Sequence, residues 1–257
     1  MPEGVEVKLQ IEKLKKLKNQ EIQSVKILSG RYSRHGHPKG FISFKKALPL
    51  VIQSIHNKGK FIYFMLSNNW IIMITLGMTG KLKIRKEHQK HDHIQFLISK
   101  YTLYFNDLRN FGTIEFTNDK SVLENKLNRL GYDPLQENIG FPQFLAHIGK
   151  FKQELEIAEL LLNQKFISGI GNYLRSDILY CSKINPKSKI KDLSTNTLEK
   201  LLKCIIKTMH ESYSKQKQKN HKFLIYKQKI SPIGNPVKKY KDTKGRMVWY
   251  DEKVQIL

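Results

Sequence analysis

Only two cysteines, Cys181 and Cys204, occur in the 257 residues, and both stand in stretches with helical character. Two are too few for a disulfide framework, and a four-cysteine zinc site is excluded. A reducing intracellular compartment follows, with nucleus, cytoplasm and viral factory not distinguished. Acidic residues are scarce as well: 22 Asp and Glu stand against 46 Lys and Arg, a formal net charge of +24. A compositional bias towards Lys, Asn and Ile would raise Glu too. The imbalance therefore points to a polyanion, with nucleic acid favoured over an anionic membrane. Long unbroken apolar runs are also missing. The closest, 61–78, is interrupted by Ser67-Asn68-Asn69 and reads as two strands joined by a tight turn. No secretory leader is expected, because the amino end is polar and Lys-rich from Lys8 onward.

What is present divides into a strand-rich half and a helical half. Val5, Leu9, Ile11, Leu14 and Leu17 recur at mostly helical spacing, which predicts an amino-terminal helix over 5–18. Strands are expected over 21–28, 60–66, 70–76, 80–84, 93–98, 103–106 and 113–116, which together suggest a β-sandwich. The pattern is mixed over 117–150, with 131–135 (GYDPL) as a connector. Helical periods follow over 155–164, 173–181 and 193–214, then a basic loop over 215–222 (KQKQKNHK) and a strand-turn-strand ending. The expected organisation is α+β and multidomain. It comprises a catalytic helix plus β-sandwich over 1–130, a linker over 131–150, a helical domain over 151–225 and a terminal hairpin over 226–257.

Two segments carry chemistry. The chain opens Met1-Pro2-Glu3-Gly4-Val5-Glu6. Removal of Met1 would expose the secondary amine of Pro2, and an α-amine titrates near ~7.7–8.0, low enough to be partly neutral at physiological pH. Attack of that amine on a sugar aldehyde carbon gives an iminium that cannot be neutralised by losing a proton from nitrogen. Such a cation is the electron sink that elimination of a phosphate needs. Glu3 is placed to move protons on the same sugar. By themselves these residues are better described as a helix start, with proline and a carboxylate in the first turn; the motifs further along reverse that preference. In the second segment, Gly169-Ile170-Gly171-Asn172-Tyr173-Leu174-Arg175, a glycine turn precedes a helix. Its helix-starting amides and the Asn172 side chain make a phosphate site, or else Asn172 simply caps the helix.

The two segments together resemble the formamidopyrimidine-DNA glycosylase/endonuclease VIII (Fpg/Nei) family. So do His56-Asn57-Lys58-Gly59-Lys60, Leu76-Gly77-Met78-Thr79-Gly80, Lys90-His91-Asp92-His93 and Asp107-Leu108-Arg109-Asn110-Phe111-Gly112, and the match runs in order along essentially the whole chain. The spelling of 171–175 is closest to the Nei-like enzymes of eukaryotes and large DNA viruses. The resemblance implies a helix-two-turns-helix domain that grips DNA and a bifunctional DNA glycosylase/AP lyase of base excision repair. Pro2 would be the nucleophile through a Schiff base, Glu3 would protonate the sugar ring oxygen, Glu6 would support the site and Lys60 would contact the sugar or its phosphate. Met78, Arg109 and Phe111 would fill the gap left by the extruded base. Gly171 and Asn172 would hold phosphates beside the lesion, and Arg246 would clamp those around the flipped nucleotide.

The departures from the family pattern are informative. The family usually builds its terminal finger around zinc held by four cysteines, whereas 226–255 contains none. A zincless finger is expected, packed through Ile233, Val237, Val248 and Trp249, with no metal and no organic cofactor. The short loop after the last long helix, and Ala158 where Fpg enzymes carry a lysine, tilt the expected substrates towards oxidised pyrimidines, ring-opened purines and hydantoins. Asn110 replaces a second arginine. The partner is damaged double-stranded DNA, with no membrane, and the chain is expected to be a monomer. A non-catalytic relic that binds abasic or damaged DNA is the alternative, and an RNA-associated basic protein is a weaker one.

Overall fold

The computed structural model describes residues 2–256, so Met1, on whose removal the expected nucleophile depends, lies outside the described residues. Two compact units emerge. One holds Pro2 and Glu6–Arg129, and the other holds Glu3–Val5 and the chain from Leu130 onward.

The first unit follows the strand-rich pattern. Helix α1 (Gly4–Leu14) is followed by strand β1 (Glu21–Ile27) and two short helices, α2 (Arg31–Arg34) and α3 (Phe41–Ala47). Seven strands then follow: β2 (Leu50–Lys58), β3 (Phe61–Leu66), β4 (Ile71–Thr75), β5 (Lys81–Ile84), β6 (Asp92–Ile98), β7 (Tyr101–Asn106) and β8 (Thr113–Thr117). Helix α4 (Lys120–Asn128) closes the unit. The strands are ordered β5-β7-β6-β1-β2-β3-β4-β8, with adjacent strands antiparallel. The β1–β2 junction is narrow, with only Glu21↔Val51 and Ile22↔Leu50 in register. Phe96 on β6 and Phe116 on β8 are five strands apart in that order, roughly 24 Å in a flat sheet. Their rings nevertheless lie 6.3 Å apart. The sheet therefore folds over at β1–β2 into a sandwich. Its interior holds Ile22, Val25, Ile94, Phe96 and Phe105 from one half and Ile62, Phe64, Ile72, Ile74 and Phe116 from the other.

Seven of these eight strands coincide with the sequence expectation to within two residues at each end. Strand β2 does not, because Gln53, Ser54, His56 and Asn57 dilute its apolar alternation. The Lys90–His93 motif has a structural task. Asp92, fully buried, accepts from Arg85 (a short charge-assisted pair), the Gln89 amide (2.8 Å) and Asn106 Nδ2 (2.9 Å). His93 bridges Ser29 Oγ (2.9 Å) and the Asp107 carbonyl (2.7 Å).

In the second unit, α5 (Phe141–Ile148), α6 (Ile157–Leu162), α7 (Asn172–Ser182) and α8 (Thr195–Lys217) precede the hairpin β9 (Lys238–Lys241) and β10 (Met247–Tyr250). The stretch 131–150, read as a linker, thus carries a helix of this unit. Helix α8 runs further than the sequence pattern indicated, so part of the basic loop is helical. Ser194 caps α8 by accepting from the Thr197 amide (3.2 Å). Cys181 and Cys204 are joined as a disulfide between α7 and α8, with Cα atoms 5.8 Å apart. The sequence reading counted these cysteines only as too few for a framework, and the inference of a reducing compartment loses that support. Among the described residues no helix is long and apolar enough to cross a membrane.

The Asp92 carboxyl lies below the usual carboxylate range: burial works to raise it, but Arg85, the Gln89 amide and Asn106 outweigh burial. Its contribution to stability is complete above the unfolded value of about 3.9 and is lost as pH falls through the depressed value. Asp92→Asn is expected to cost roughly 3 kcal/mol at pH 7 by leaving Arg85 without its partner. It should also flatten the loss of stability below pH ~4. Denaturant melts at pH 7 and at acid pH check both outcomes.

Candidate nucleic-acid interface and reaction site

Glu3 is 2% exposed, an unusual place for a carboxylate unless it has donors. Its donors are backbone amides at the start of α7: Gly171 at 2.8 Å, Tyr173 at 3.0 Å and Leu174 at 3.2 Å. These are among the amides a helix leaves without intrahelical partners, and the dipole there favours negative charge. The Gly4 amide adds a backbone bond to the Gly169 carbonyl (2.8 Å). Gly171 is required for space: a Cβ there would stand 2.3 Å from Glu3 Cδ. The glycine turn is therefore an anion site, as its sequence suggested, but its anion is the chain's own Glu3. The expectation that Gly171 holds a phosphate is corrected accordingly. Pro2, half-buried, is bonded directly to this fixed residue, and Glu6 lies in the first turn of α1.

Asn172, the first residue of α7, directs Oδ1 to Arg175 Nη2 (2.6 Å) and Nδ2 to the Met247 carbonyl (3.1 Å). Arg246 is exposed in the β9–β10 turn. Asp242 folds that turn by accepting from the Lys244 (3.0 Å) and Arg246 (2.8 Å) amides. The finger is not the apolar hairpin the sequence suggested. Val248 is fully buried, but Ile233 is 65% exposed, and Val237 and Trp249 are only partly covered. Polar contacts carry the rest. Tyr240 donates to Glu156 (3.1 Å), Thr243 binds Glu159, and Asn235 Nδ2 donates to Asp251 (3.1 Å). Gln255 Nε2 donates to the Ile184 carbonyl (3.0 Å). At the finger's root, the buried Asp177 accepts from the Leu224, Ile225 and Tyr226 amides. Burial pushes its carboxyl up against those three amides. A zinc ion does not fit this finger: thiolate donors are absent from it, and Asp242 is engaged by Arg175.

In the first unit, three candidate residues form one cluster. Asp107, fully buried, accepts from Thr79 Oγ1, the Arg109 amide (3.3 Å) and the Gly112 amide (2.7 Å), which folds 107–112 into a tight loop. Thr79 Oγ1 in turn accepts from the Arg109 amide (3.0 Å). Gly77, at φ 58°, allows the Met78 turn to touch this loop, since a Cβ there would lie 2.7 Å from the Phe111 carbonyl carbon. The outcome is an exposed apolar group: Met78 is 38% exposed and Phe111 53%, with Arg109 lying 4.9 Å over the Phe111 ring. Asn110 points inward to the Arg31 amide (3.3 Å). Lys60 is in the two-residue turn joining β2 and β3, where Lys58 pairs with Phe61 and Asn57 Nδ2 braces the Gly59 carbonyl (3.1 Å).

Sequence reasoning assigned no role to Asp107, Arg175, Asp177 or Asp242. For Asp107 the available signal was an acid retained inside a motif of a chain with few acids. Gly171→Ala is expected to displace Glu3 and to cost roughly 2 kcal/mol by overpacking. Thermal melts, together with loss of activity at constant folded fraction, check it.

Two family models match the chain: the Formamidopyrimidine-DNA glycosylase N-terminal domain over residues 1–114 and the Formamidopyrimidine-DNA glycosylase H2TH domain over residues 130–223. The chain is 29% identical over 246 residues to a formamidopyrimidine-DNA glycosylase of Solibacter usitatus, covering 96% of this chain and 83% of that one. It is 33% identical over 218 residues to one of Mycoplasma mobile, covering 82% and 77%. Among solved structures, Lactococcus lactis Fpg non-covalently bound to AP-site DNA matches with a TM-score of 0.87 over 99% of this chain and 100% of that one. At 24% identity that likeness is one of fold. A MutM complexed with DNA containing carbocyclic 8-oxo-G matches at 26% identity with a TM-score of 0.86, over 100% of both chains. With both domain models matched in order, this chain belongs to the Fpg/Nei family of DNA glycosylases.

Proposed function

We propose that this chain is a bifunctional DNA glycosylase/AP lyase of DNA repair that removes oxidised bases from damaged duplex DNA. The observation that carries the reading is the Glu3 carboxylate, buried on the amides of α7 and bonded directly to Pro2. A helix cap of ordinary use would come from the residue preceding the helix. Here it is supplied from 168 residues earlier in the chain, which fixes the backbone next to a secondary amine.

The chemistry follows from residue types. With Met1 removed, the Pro2 nitrogen attacks C1′ of the damaged nucleotide and the base departs. Glu3, whose carboxylate takes the proton that the Pro2 nitrogen sheds on bonding to C1′, passes it to the sugar ring oxygen; the ring opens, and an iminium forms between Pro2 and C1′. Loss of a C2′ proton pushes electrons into that iminium and expels the 3′ phosphate. A second elimination expels the 5′ phosphate, leaving a one-nucleotide gap, and water then releases the sugar fragment from Pro2. Lys60 and Arg246 hold the phosphates, the latter with a fork that suits two oxygens at once. Met78, Arg109 and Phe111 occupy the place of the extruded base: a flexible apolar group, a planar cation and an aromatic wedge. Oxidised pyrimidines, ring-opened purines and hydantoins are the proposed substrates, and the enzyme acts as a monomer.

Borohydride added during turnover should trap a covalent protein–DNA adduct through residue 2. Pro2→Leu should abolish trapping and slow strand cleavage on the order of a thousandfold or more. Undiminished nicking by that variant overturns the mechanism, and lesion binding with no cleavage in the processed wild type would favour a non-catalytic binder. A salt series gives an independent check. With roughly six phosphates neutralised, log K should fall against log salt with a slope near −5.

A further inference from the structure

Arg175, three residues after Asn172 on α7, is the largest fully buried side chain among the described residues, and nothing in the proposed reaction uses it. Burying a guanidinium is unfavourable unless its hydrogens find acceptors. Four of them do. Nη1 donates to Asp242 Oδ2 at 2.8 Å and to the Ala158 carbonyl at 3.4 Å. Nη2 donates to Asn172 Oδ1 at 2.6 Å and to the Met247 carbonyl at 3.0 Å. The Arg175 and Asp242 side chains are 0% and 1% exposed, so the pair is shielded from water and salt. Burial draws the Arg175 guanidinium below its usual value, and Asp242 opposes that shift. Asp242 itself is held low: burial would raise its carboxyl, but Arg175 and the Arg246 amide prevail.

Apart from the Ala158 carbonyl, the acceptors of this fork belong to, or adjoin, the phosphate-binding residues proposed above. Asp242 accepts the Arg246 amide on Oδ1 (2.8 Å) and gives its own amide to the Arg246 carbonyl (2.9 Å). Met247 follows Arg246 directly, and its carbonyl receives both Arg175 Nη2 and Asn172 Nδ2. The backbone of Arg246 is therefore gripped on both sides, while its side chain is exposed. For Asn172 the consequence concerns orientation. An amide side chain can present either its oxygen or its nitrogen. With a guanidinium on one side and a carbonyl on the other, only one orientation avoids two repulsive contacts. That orientation engages Oδ1 internally and leaves a second Nδ2 hydrogen to donate to an anion.

We propose that Arg175 is a positioning residue: one buried guanidinium, paired with Asp242, sets both the Arg246 turn and the donor orientation of Asn172 for DNA phosphate. It acts through these two residues and touches no substrate. The inference rests on the reading of Arg246 and Asn172 as phosphate ligands, and the tests below separate its failure from failure of that reading.

The probe is duplex DNA carrying an uncleavable abasic analogue, titrated with the processed protein at several salt concentrations. Asp242→Asn is nearly isosteric but cannot accept from Arg175 and from the turn amides together. It should weaken binding at least about tenfold and flatten the salt slope by about one, the signature of one misplaced cation. Arg175→Lys retains a cation for Asp242 but lacks the second arm of the fork. It should preserve the slope and weaken binding several-fold, and this penalty should vanish in an Asn172→Ala background. Glu252→Gln, at an exposed pair with Lys238 on the same finger, should leave both quantities unchanged. A merely structural role would give additive penalties in the double variant and an unaltered slope in Asp242→Asn, and either outcome overturns the proposal.

Hydrogen exchange of the DNA-free protein decides the matter independently. In Asp242→Asn the Lys244 and Arg246 amides should exchange at least about tenfold faster while those of α8 keep their rates. Unchanged turn amides, or equal acceleration in α8, would overturn it. Should the wild type fail to prefer the abasic duplex over undamaged DNA, the phosphate reading falls. The exchange result would still test whether Arg175 and Asp242 organise the turn.

Discussion

The interaction on which the second unit's functional end depends is the carboxylate of Glu3 on the first-turn amides of α7. Helix α7 has no side-chain cap of its own, since Gly171 stands where Ser, Asp or Asn would. Its open donors can be satisfied by solvent, by a bound anion or by a distant part of the chain. The chain uses its own third residue. One contact thereby does two things: it removes a buried charge from an unfavourable environment, and it fixes the backbone immediately after Pro2. The absence of a Cβ at Gly171 makes room for the carboxylate, so a sequence feature that looks like turn chemistry is a steric requirement.

Much of this was legible in the sequence, though unevenly. Strands with strong β-branched and aromatic alternation, such as 61–66 and 71–75, were read nearly to their ends, because their periodicity reports directly on burial. Strand β2 was missed because its polar residues fall on covered and uncovered positions alike, Asn57 buried and Gln53 and His56 exposed, and so mask the period. The exposed cluster of Met78, Arg109 and Phe111 could be named from motifs. What brings those residues together, the Asp107 carboxylate and the close approach at Gly77, was not visible, because it depends on contacts between loops about thirty residues apart. The phosphate reading of 169–172 identified the right physics, but the Gly171, Tyr173 and Leu174 amides are taken by the chain's own Glu3. No local pattern reveals that a residue 168 positions away will fill a site.

The finger illustrates the same limit. Four apolar residues were expected to take over the stabilising role of a metal, yet Ile233 is largely exposed and Val248 alone of the four is fully buried. The hairpin is instead tied to α6 and α7 through side-chain polar contacts, with Arg175 and Asp242 at the centre. Such a network is directional where hydrophobic packing is not, and the proposed role of Arg246 requires a turn with direction. Hydrophobic periodicity could not have predicted it, because a four-residue strand contains too few residues to establish a period.

These contacts also bear on the charge of the molecule. Among the described residues, the buried acids are Glu3, Asp92, Asp107, Asp133, Asp177, Asp242 and Asp251, and each accepts at least one backbone amide. They close turns or cap a helix, so they are spent on the interior of a chain with only 22 acids. Two of them, Asp92 and Asp242, are neutralised by arginines that are themselves largely withdrawn from solvent. The lysines, by contrast, remain mostly at the surface, where few acids are left to offset them. The potential felt by an approaching polyanion is accordingly more positive than an even distribution of the same residues would give. Scarcity of acid and its placement thus act together: the carboxylates that remain organise the loops presenting Arg109, Asn172 and Arg246, and in doing so they leave the outer field to the cations.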